Sequence, residues 1–217
     1  MITAAIFLVA FLIVTGLVIA GSFSKLNLSL TTYLQHRGSY PQDVALGIFA
    51  YLGSIEVTLI VAALLGVALF RGLRLLAVLP VGLVLLASGL EYIGKRLVVS
   101  QAPPDALDRF PSFLPGFTHN LAPYSFPSGH MLRATVTYGL VVYLAERWGL
   151  FGENSSRLSP VLVLVIFLTG YAVVYLGWHW FSDVLGGLLL GMTLLFGLIA
   201  YLERKRTVNP GHPHVDD

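Results

Sequence analysis

The sequence predicts an all-α, polytopic membrane protein of six transmembrane helices. Three observations predict it: charge is scarce, six apolar stretches are long enough to cross a bilayer, and the connections between them alternate in length. Of the 217 residues, 56% are hydrophobic and only 11% are charged, with a mean hydropathy of +0.81. Soluble domains carry about 25% charged residues, so the deficit points to lipid. A helical crossing takes roughly 20 apolar residues. Six of them with short connections use nearly the whole chain, as one membrane-embedded domain over 1–217 with its core at about 44–202.

The apolar stretches run over about 2–21, 44–70, 75–99, 127–148, 159–178 and 183–202. The first has no Lys or Arg between Met1 and Ala5. A cleaved signal peptide carries a basic n-region and a shorter apolar core, so this stretch is expected to be an uncleaved span. The 22–43 connection spaces Phe23, Leu26, Leu28, Leu30 and Leu34 among polar residues, a pattern that allows an amphipathic helix lying on the membrane surface. The 100–126 connection holds Pro103, Pro104, Pro111, Pro115 and Pro123 and cannot be one long helix. The tail, 203–217, ends in the polar run Asn209 to Asp217 and is expected to be disordered.

Orientation follows from the loop cations. One face holds Arg71, Arg74, Arg147, Arg157, Arg204, Lys205 and Arg206; the other holds Lys25, Arg37, Lys95, Arg96, Arg109 and Arg133. Lys95, Arg96 and Arg133 sit inside helix ends, and setting them aside leaves seven against three. Both termini are therefore expected in the cytoplasm. The net charge of +2 is mild and no basic run suggests nucleic acid as a partner. Zero cysteines exclude disulfides, thiolate metal sites and a cysteine nucleophile.

Three clusters place ionisable groups at membrane depth, where a charge costs at least ~2.5–3.5 kcal/mol and marks a polar site by default. All three fall on the extracytoplasmic face of the drawn topology. In Glu91-Tyr92-Ile93-Gly94-Lys95-Arg96, Glu91 and Lys95 share a helix face and can pair, while Arg96 suits a snorkelling position at the interface. In Tyr124-Ser125-Phe126-Pro127-Ser128-Gly129-His130, Pro127 is placed in a first helical turn, whose free N–H groups form an anion site. Ser128 adds a hydroxyl donor, Gly129 lets an anion approach the backbone, and His130 can donate a proton at neutral pH. In the run from Tyr175 to Asp183, one helical turn brings Asp183 under His179. A carboxylate there fixes the imidazole tautomer and frees the other nitrogen as a nucleophile. The competing structural account is an interfacial His-Asp pair within an aromatic belt of Tyr175, Trp178 and Trp180.

The run Phe126-Pro127-Ser128-Gly129-His130, followed about fifty residues on by Tyr175-Leu176-Gly177, His179 and Asp183, resembles the type 2 phosphatidic acid phosphatase family. The likeness covers roughly residues 44–202. It implies a six-helix membrane protein with an outward-facing site, a lipid phosphate substrate, and neither metal nor other cofactor. It also implies that His179 attacks phosphorus to give a phosphohistidine, with Asp183 orienting it and His130 protonating the leaving oxygen. Lys95, Ser128 and Gly129 would hold the phosphate.

Two arginines of the family pattern are missing. In it six residues separate the Lys from Arg-Pro, where this chain has Ala102-Pro103 after Lys95; its Ser-Arg before the third-motif His is Ala172-Val173 here. Such arginines grip phosphoryl oxygens in bidentate fashion. Arg133, one turn beyond His130, is the first candidate to replace them as a phosphate ligand, with Arg96 and His119 behind it. The alternative for Arg133 is a helix-bracing pair with a carboxylate such as Glu91. The sequence thus predicts a lipid phosphatase or pyrophosphatase, with a phosphotransferase and a non-catalytic lipid-binding or transport relative as alternatives.

Overall fold

In lipid every backbone N–H and C=O has to be satisfied within the chain, which favours helices wherever an apolar run is long. The computed structural model describes residues 1–70, 76–111 and 124–208. Among them the elements are α1 (Ile2–Ile19), α2 (Ser24–Gln35), α3 (Tyr40–Leu52), α4 (Ile55–Phe70), α5 (Leu79–Leu97), α6 (Gly129–Trp148), α7 (Ser155–Tyr175) and α8 (Phe181–Val208). The protein is an all-α membrane protein. By length and composition, α1, the helical segment ending at Tyr175 and α8 can each cross a bilayer, and the α3–α4 pair is a fourth if its halves count together.

The most polar long helix is also the most enclosed. α6 packs against α4, α5, α7 and α8, and Arg133, Thr135 and Thr137 are buried in it beside Leu132, Val136 and Leu140. Surrounding helices therefore keep its polar groups out of lipid. α8 approaches α6 closely through Gly187 and Gly191, four residues apart. A Cβ at Gly187 would stand 2.4 Å from the Ser128 carbonyl oxygen, and one at Gly191 2.7 Å from Thr135 Cβ. Small residues at this spacing are how membrane helices bring their backbones together. α1 lies along α8, with Phe7 stacked on Phe196 at 5.5 Å and Phe11 on Phe126 at 6.0 Å.

The structure departs from the expected elements in several places. The stretch predicted as one helix over 44–70 is two, α3 and α4, bent by 50° between Leu52 and Ile55. Carbonyls freed by such a break need new donors. Tyr138 Oη donates to the Leu52 oxygen at 2.7 Å and Arg133 Nε to the Gly53 oxygen at 3.3 Å. Pro127 lies before the α6 cap rather than in its first turn, because Ser128 is the N-cap and accepts from the Met131 N–H. α8 continues through Glu203 to Val208, so the expected tail is helical to that point; Asn209–Asp217 lie outside the described residues.

The amphipathic helix allowed within 22–43 forms as α2, and its buried face is its polar one. Asn27 and Thr31 are buried, whereas Leu26, Leu28 and Tyr33 are exposed. Of the 100–126 connection, the described part holds one short helical turn, Asp105–Leu107. Its two ends are joined where the Ser125 N–H donates to the Ser100 oxygen at 2.9 Å.

Candidate active site

Four helix ends meet at one end of the bundle: the last turns of α5 and α7 and the first turns of α6 and α8. They enclose a cavity of about 340 Å³ lined by Glu91, Lys95, Ala102, His130, Arg133 and His179, with Ser88, Tyr92, Asp105, Asp108 and Trp178 also on its wall. All three clusters singled out in the sequence contribute to it.

His179 lies in the turn between α7 and α8, which Gly177 makes possible with φ +75°, a conformation that costs an L side chain. The Trp178 and His179 N–H groups both donate to the Val173 oxygen, at 3.0 and 3.1 Å, so the last turn of α7 holds the histidine. Asp183 is the third residue of α8 and wholly buried. Its Oδ2 accepts from the Trp180 N–H at 2.9 Å, reaching back over the helix start as the acid of a capping box does. That anchoring leaves Oδ2 3.7 Å from His179 Nδ1, an ion-pair separation too long for a hydrogen bond. Burial pushes the His179 imidazole below the usual histidine range; Asp183 and Glu91 pull it back up in part, while the Lys95 cation adds to the lowering.

His130, the second residue of α6, faces His179 across the cavity with ring centroids 5.9 Å apart and planes at 60°. Trp178 packs against it at 5.4 Å. Ser128 and Gly129 stand behind the wall. Ser128 is fully buried, its Oγ accepting from Met131 N–H at 3.4 Å and its own N–H donating to the Asp183 oxygen at 2.9 Å. The second of these bonds, made to the Asp183 backbone carbonyl, ties the α6 cap to the first turn of α8. At Gly129 an added Cβ would fall 2.1 Å from the Glu91 carboxylate. The anion that this glycine admits is a side chain of the protein itself.

The cations converge on that carboxylate. Lys95 Nζ lies 2.9 Å from Glu91 Oε1, and Arg133 Nη1 pairs with Glu91 Oε2. Arg133 thus makes the helix-bracing pair considered from sequence and still lines the cavity. Arg96 does not line the cavity; its guanidinium lies 4.4 Å over the Tyr92 ring. His119 lies outside the described residues. Of the two positions without the family's arginine, Ala102 is on the cavity wall, whereas Val173 is fully buried in an apolar cluster with Leu46, Ala50 and Leu176.

Sequence reasoning missed two polar braces around this site. Arg109 Nε and Nη2 donate to Asp43 Oδ1 and Oδ2 at 2.9 and 3.0 Å, and Tyr175 Oη donates to Oδ1 at 2.6 Å. Hydrogen bonding to Asp43 holds the Arg109 guanidinium more firmly protonated than usual. Gln35 Nε2 adds donations to the Leu107 and Tyr175 oxygens, both at 2.7 Å. Together these clamp the cavity-lining loop onto α3 and α7. In the second brace Asn27 Nδ2 donates to Ser182 Oγ at 2.9 Å and the Ser182 N–H returns to Asn27 Oδ1 at 3.1 Å. The available signal was buried-type polarity in otherwise apolar segments, but partners 66 to 155 residues apart cannot be matched from one sequence.

A histidine pair with a buried carboxylate behind one imidazole, held at one end of a helical membrane bundle, defines a class by its arrangement rather than by any single motif. The chain belongs to the type 2 phosphatidic acid phosphatase family: the model of the PAP2 superfamily matches residues 76–207. Phosphatidylglycerophosphatase B of Bacillus subtilis is 35% identical over 83 residues, which are 38% of this chain and 40% of that protein. The match thus spans well under half the length of this curated relative. The crystal structure described as the first transmembrane PAP2 type phosphatidylglycerolphosphate phosphatase, also from Bacillus subtilis, superposes with a TM-score of 0.80 at 21% identity, covering 94% of this chain and 98% of that one. The crystal structure of Aquifex aeolicus LpxE gives a TM-score of 0.57 at 26% identity, covering 81% and 96%.

Proposed function

We propose that this protein is a membrane lipid phosphatase or pyrophosphatase working through a phosphohistidine. One observation carries the proposal: His130 and His179 face each other across a single cavity, with Asp183 behind the second and Lys95 and Arg133 on the wall. With Nδ1 turned toward Asp183, the Nε2 lone pair of a neutral His179 attacks phosphorus as the bond to the leaving oxygen breaks. His130 gives that oxygen its proton. As positive charge grows on His179, the Asp183 carboxylate is already placed to stabilise it. Water then attacks the phosphohistidine with His130 as base, releasing inorganic phosphate and restoring both histidines.

The substrate is a lipid carrying a phosphate or pyrophosphate, of the phosphatidate, phosphatidylglycerophosphate or polyprenyl pyrophosphate type. The name of the 35% identical relative, phosphatidylglycerophosphatase B of Bacillus subtilis, supports phosphatidylglycerophosphate as the first lipid to test. The reaction is proposed to need no metal, and the site to open on the extracytoplasmic side with both termini in the cytoplasm. The test is phosphate release from a panel of these lipids by purified protein in detergent with excess chelator. Release from at least one lipid, unaffected by chelator and lost in His179→Ala, is expected. Lipid binding without release would identify a non-catalytic relative, and transfer to a lipid alcohol in place of water a phosphotransferase.

A further inference from the structure

The cavity holds two cations suited to a phosphate, and both are already engaged by one carboxylate. Glu91 Oε1 is 2.9 Å from Lys95 Nζ, and Oε2 pairs with Arg133. The same carboxylate fills the space beside Gly129 at the start of α6, where a Cβ would be 2.1 Å from each of its oxygens. Cations on two sides and a helix amino end on a third are what a phosphoryl group asks of a protein. The Glu91 side chain is only 15% exposed, shares the wall with His130 and His179, and sits where such a group would have to go.

We propose that Glu91 is the resident anion of the phosphate seat, and that the substrate's phosphoryl group binds by displacing it from Lys95 and Arg133. The inference rests on the phosphatase reading for what enters the seat. Its physical logic is a balance of charge. Arg133 is buried, and a buried cation left without a counter-charge is strongly unfavourable; Glu91 supplies one while the seat is empty. Among the three side chains the net charge is then only +1, so a free phosphate dianion has to replace an ion pair already made. A lipid phosphate brings additional binding energy from its apolar tail and can make the exchange, whereas inorganic phosphate has no tail. Glu91 thereby selects against retention of the product, and its return to the cations drives phosphate out.

The experiment is calorimetric titration of inorganic phosphate into the purified full chain in detergent, comparing wild type with Glu91→Gln. Removing one negative charge from beside the seat is expected to tighten phosphate binding by at least about tenfold, as Coulomb energies at this separation allow, with a parallel fall in KM for the lipid substrate. Unchanged or weaker phosphate binding overturns the proposal and makes Glu91 a brace that arranges the cations. Should Glu91→Gln fail to fold, the wild-type chain solved with tungstate decides: the oxyanion between Lys95 and Arg133 with Glu91 swung aside is expected, and Glu91 still bridging both cations overturns it. Calorimetry reads the seat whether or not a lipid is hydrolysed, so failure of phosphate release in the wild type is a separate result from failure here.

Discussion

Under the proposed mechanism two demands meet at His179: the imidazole has to be neutral to attack, and positively charged once it has done so. Burial favours the neutral form and the Asp183 carboxylate favours the charged one. Because burial is the larger influence, the acid limb of kcat/KM is expected below about 6.5, the ordinary histidine value. The rate should therefore hold as pH falls through that value and drop only further down. In Asp183→Asn the upward pull is lost, so the acid limb moves still lower while the maximal rate falls. A limb at or above the ordinary value would contradict a buried nucleophile. An acid-labile, base-stable phosphoryl adduct should form in the wild type and vanish in His179→Ala. His130→Ala should slow turnover by roughly 10²–10⁴-fold, as loss of a general acid does, and most for lipids with the poorest leaving group. Equal slowing across leaving groups would remove His130 from that role.

Between elements, polar side chains do the positioning that apolar packing leaves undone. Asp43 on α3 takes both Arg109 donors and the Tyr175 hydroxyl from α7, so the loop carrying Pro103, Pro104 and Asp105 is held against the cavity. Asp43→Ala leaves those three donors without their acceptor. It should destabilise the protein by about 2–3 kcal/mol and raise KM, while the phosphoryl adduct still forms. Unchanged thermal unfolding and unchanged KM would show that the loop is held by other means. At the α6–α8 contact, Gly187→Leu would drive a side chain into the Ser128 carbonyl, 2.4 Å from a Cβ. Backbone cannot yield there as a flexible side chain would, so folded protein is expected to fall sharply on size-exclusion chromatography. A normal yield with normal activity would mean that α8 can move away from α6 without disturbing Asp183.

Among the described residues, two groups of ionisable side chains lie toward opposite ends of α6. Glu91, Lys95, His130, His179 and Asp183 gather at one end, while at the other Arg147 pairs with Glu203 at 3.2 Å and Tyr143 donates to the same carboxylate at 2.8 Å. On the asymmetry of the loop cations this second end is proposed to face the cytoplasm. The chain has no cysteine, so Asp105→Cys and Glu153→Cys, both at exposed positions, report orientation directly. An impermeant thiol reagent added to intact cells should label the first and spare the second. The reverse pattern would overturn both the orientation and the side on which the site opens.

Composition and local pattern carried much of this protein in the sequence. Apolar length located the long helices, of which α1, the segment ending at Tyr175 and α8 are long and apolar enough to cross a bilayer, because that constraint is met one segment at a time. Motif spacing brought Asp183 near His179 and put His130 just inside α6, because a separation of four residues is a local distance even though His179 itself lies in the turn before α8. The bend at Gly53, the reversal of α2 to bury its polar face, the Asp43–Arg109–Tyr175 brace and the engagement of both cations by Glu91 were decided only in the tertiary structure. Each depends on donors and acceptors from segments far apart in sequence. A freed carbonyl or a buried cation accepts whichever partner the packing brings, and packing is a property of the assembled bundle.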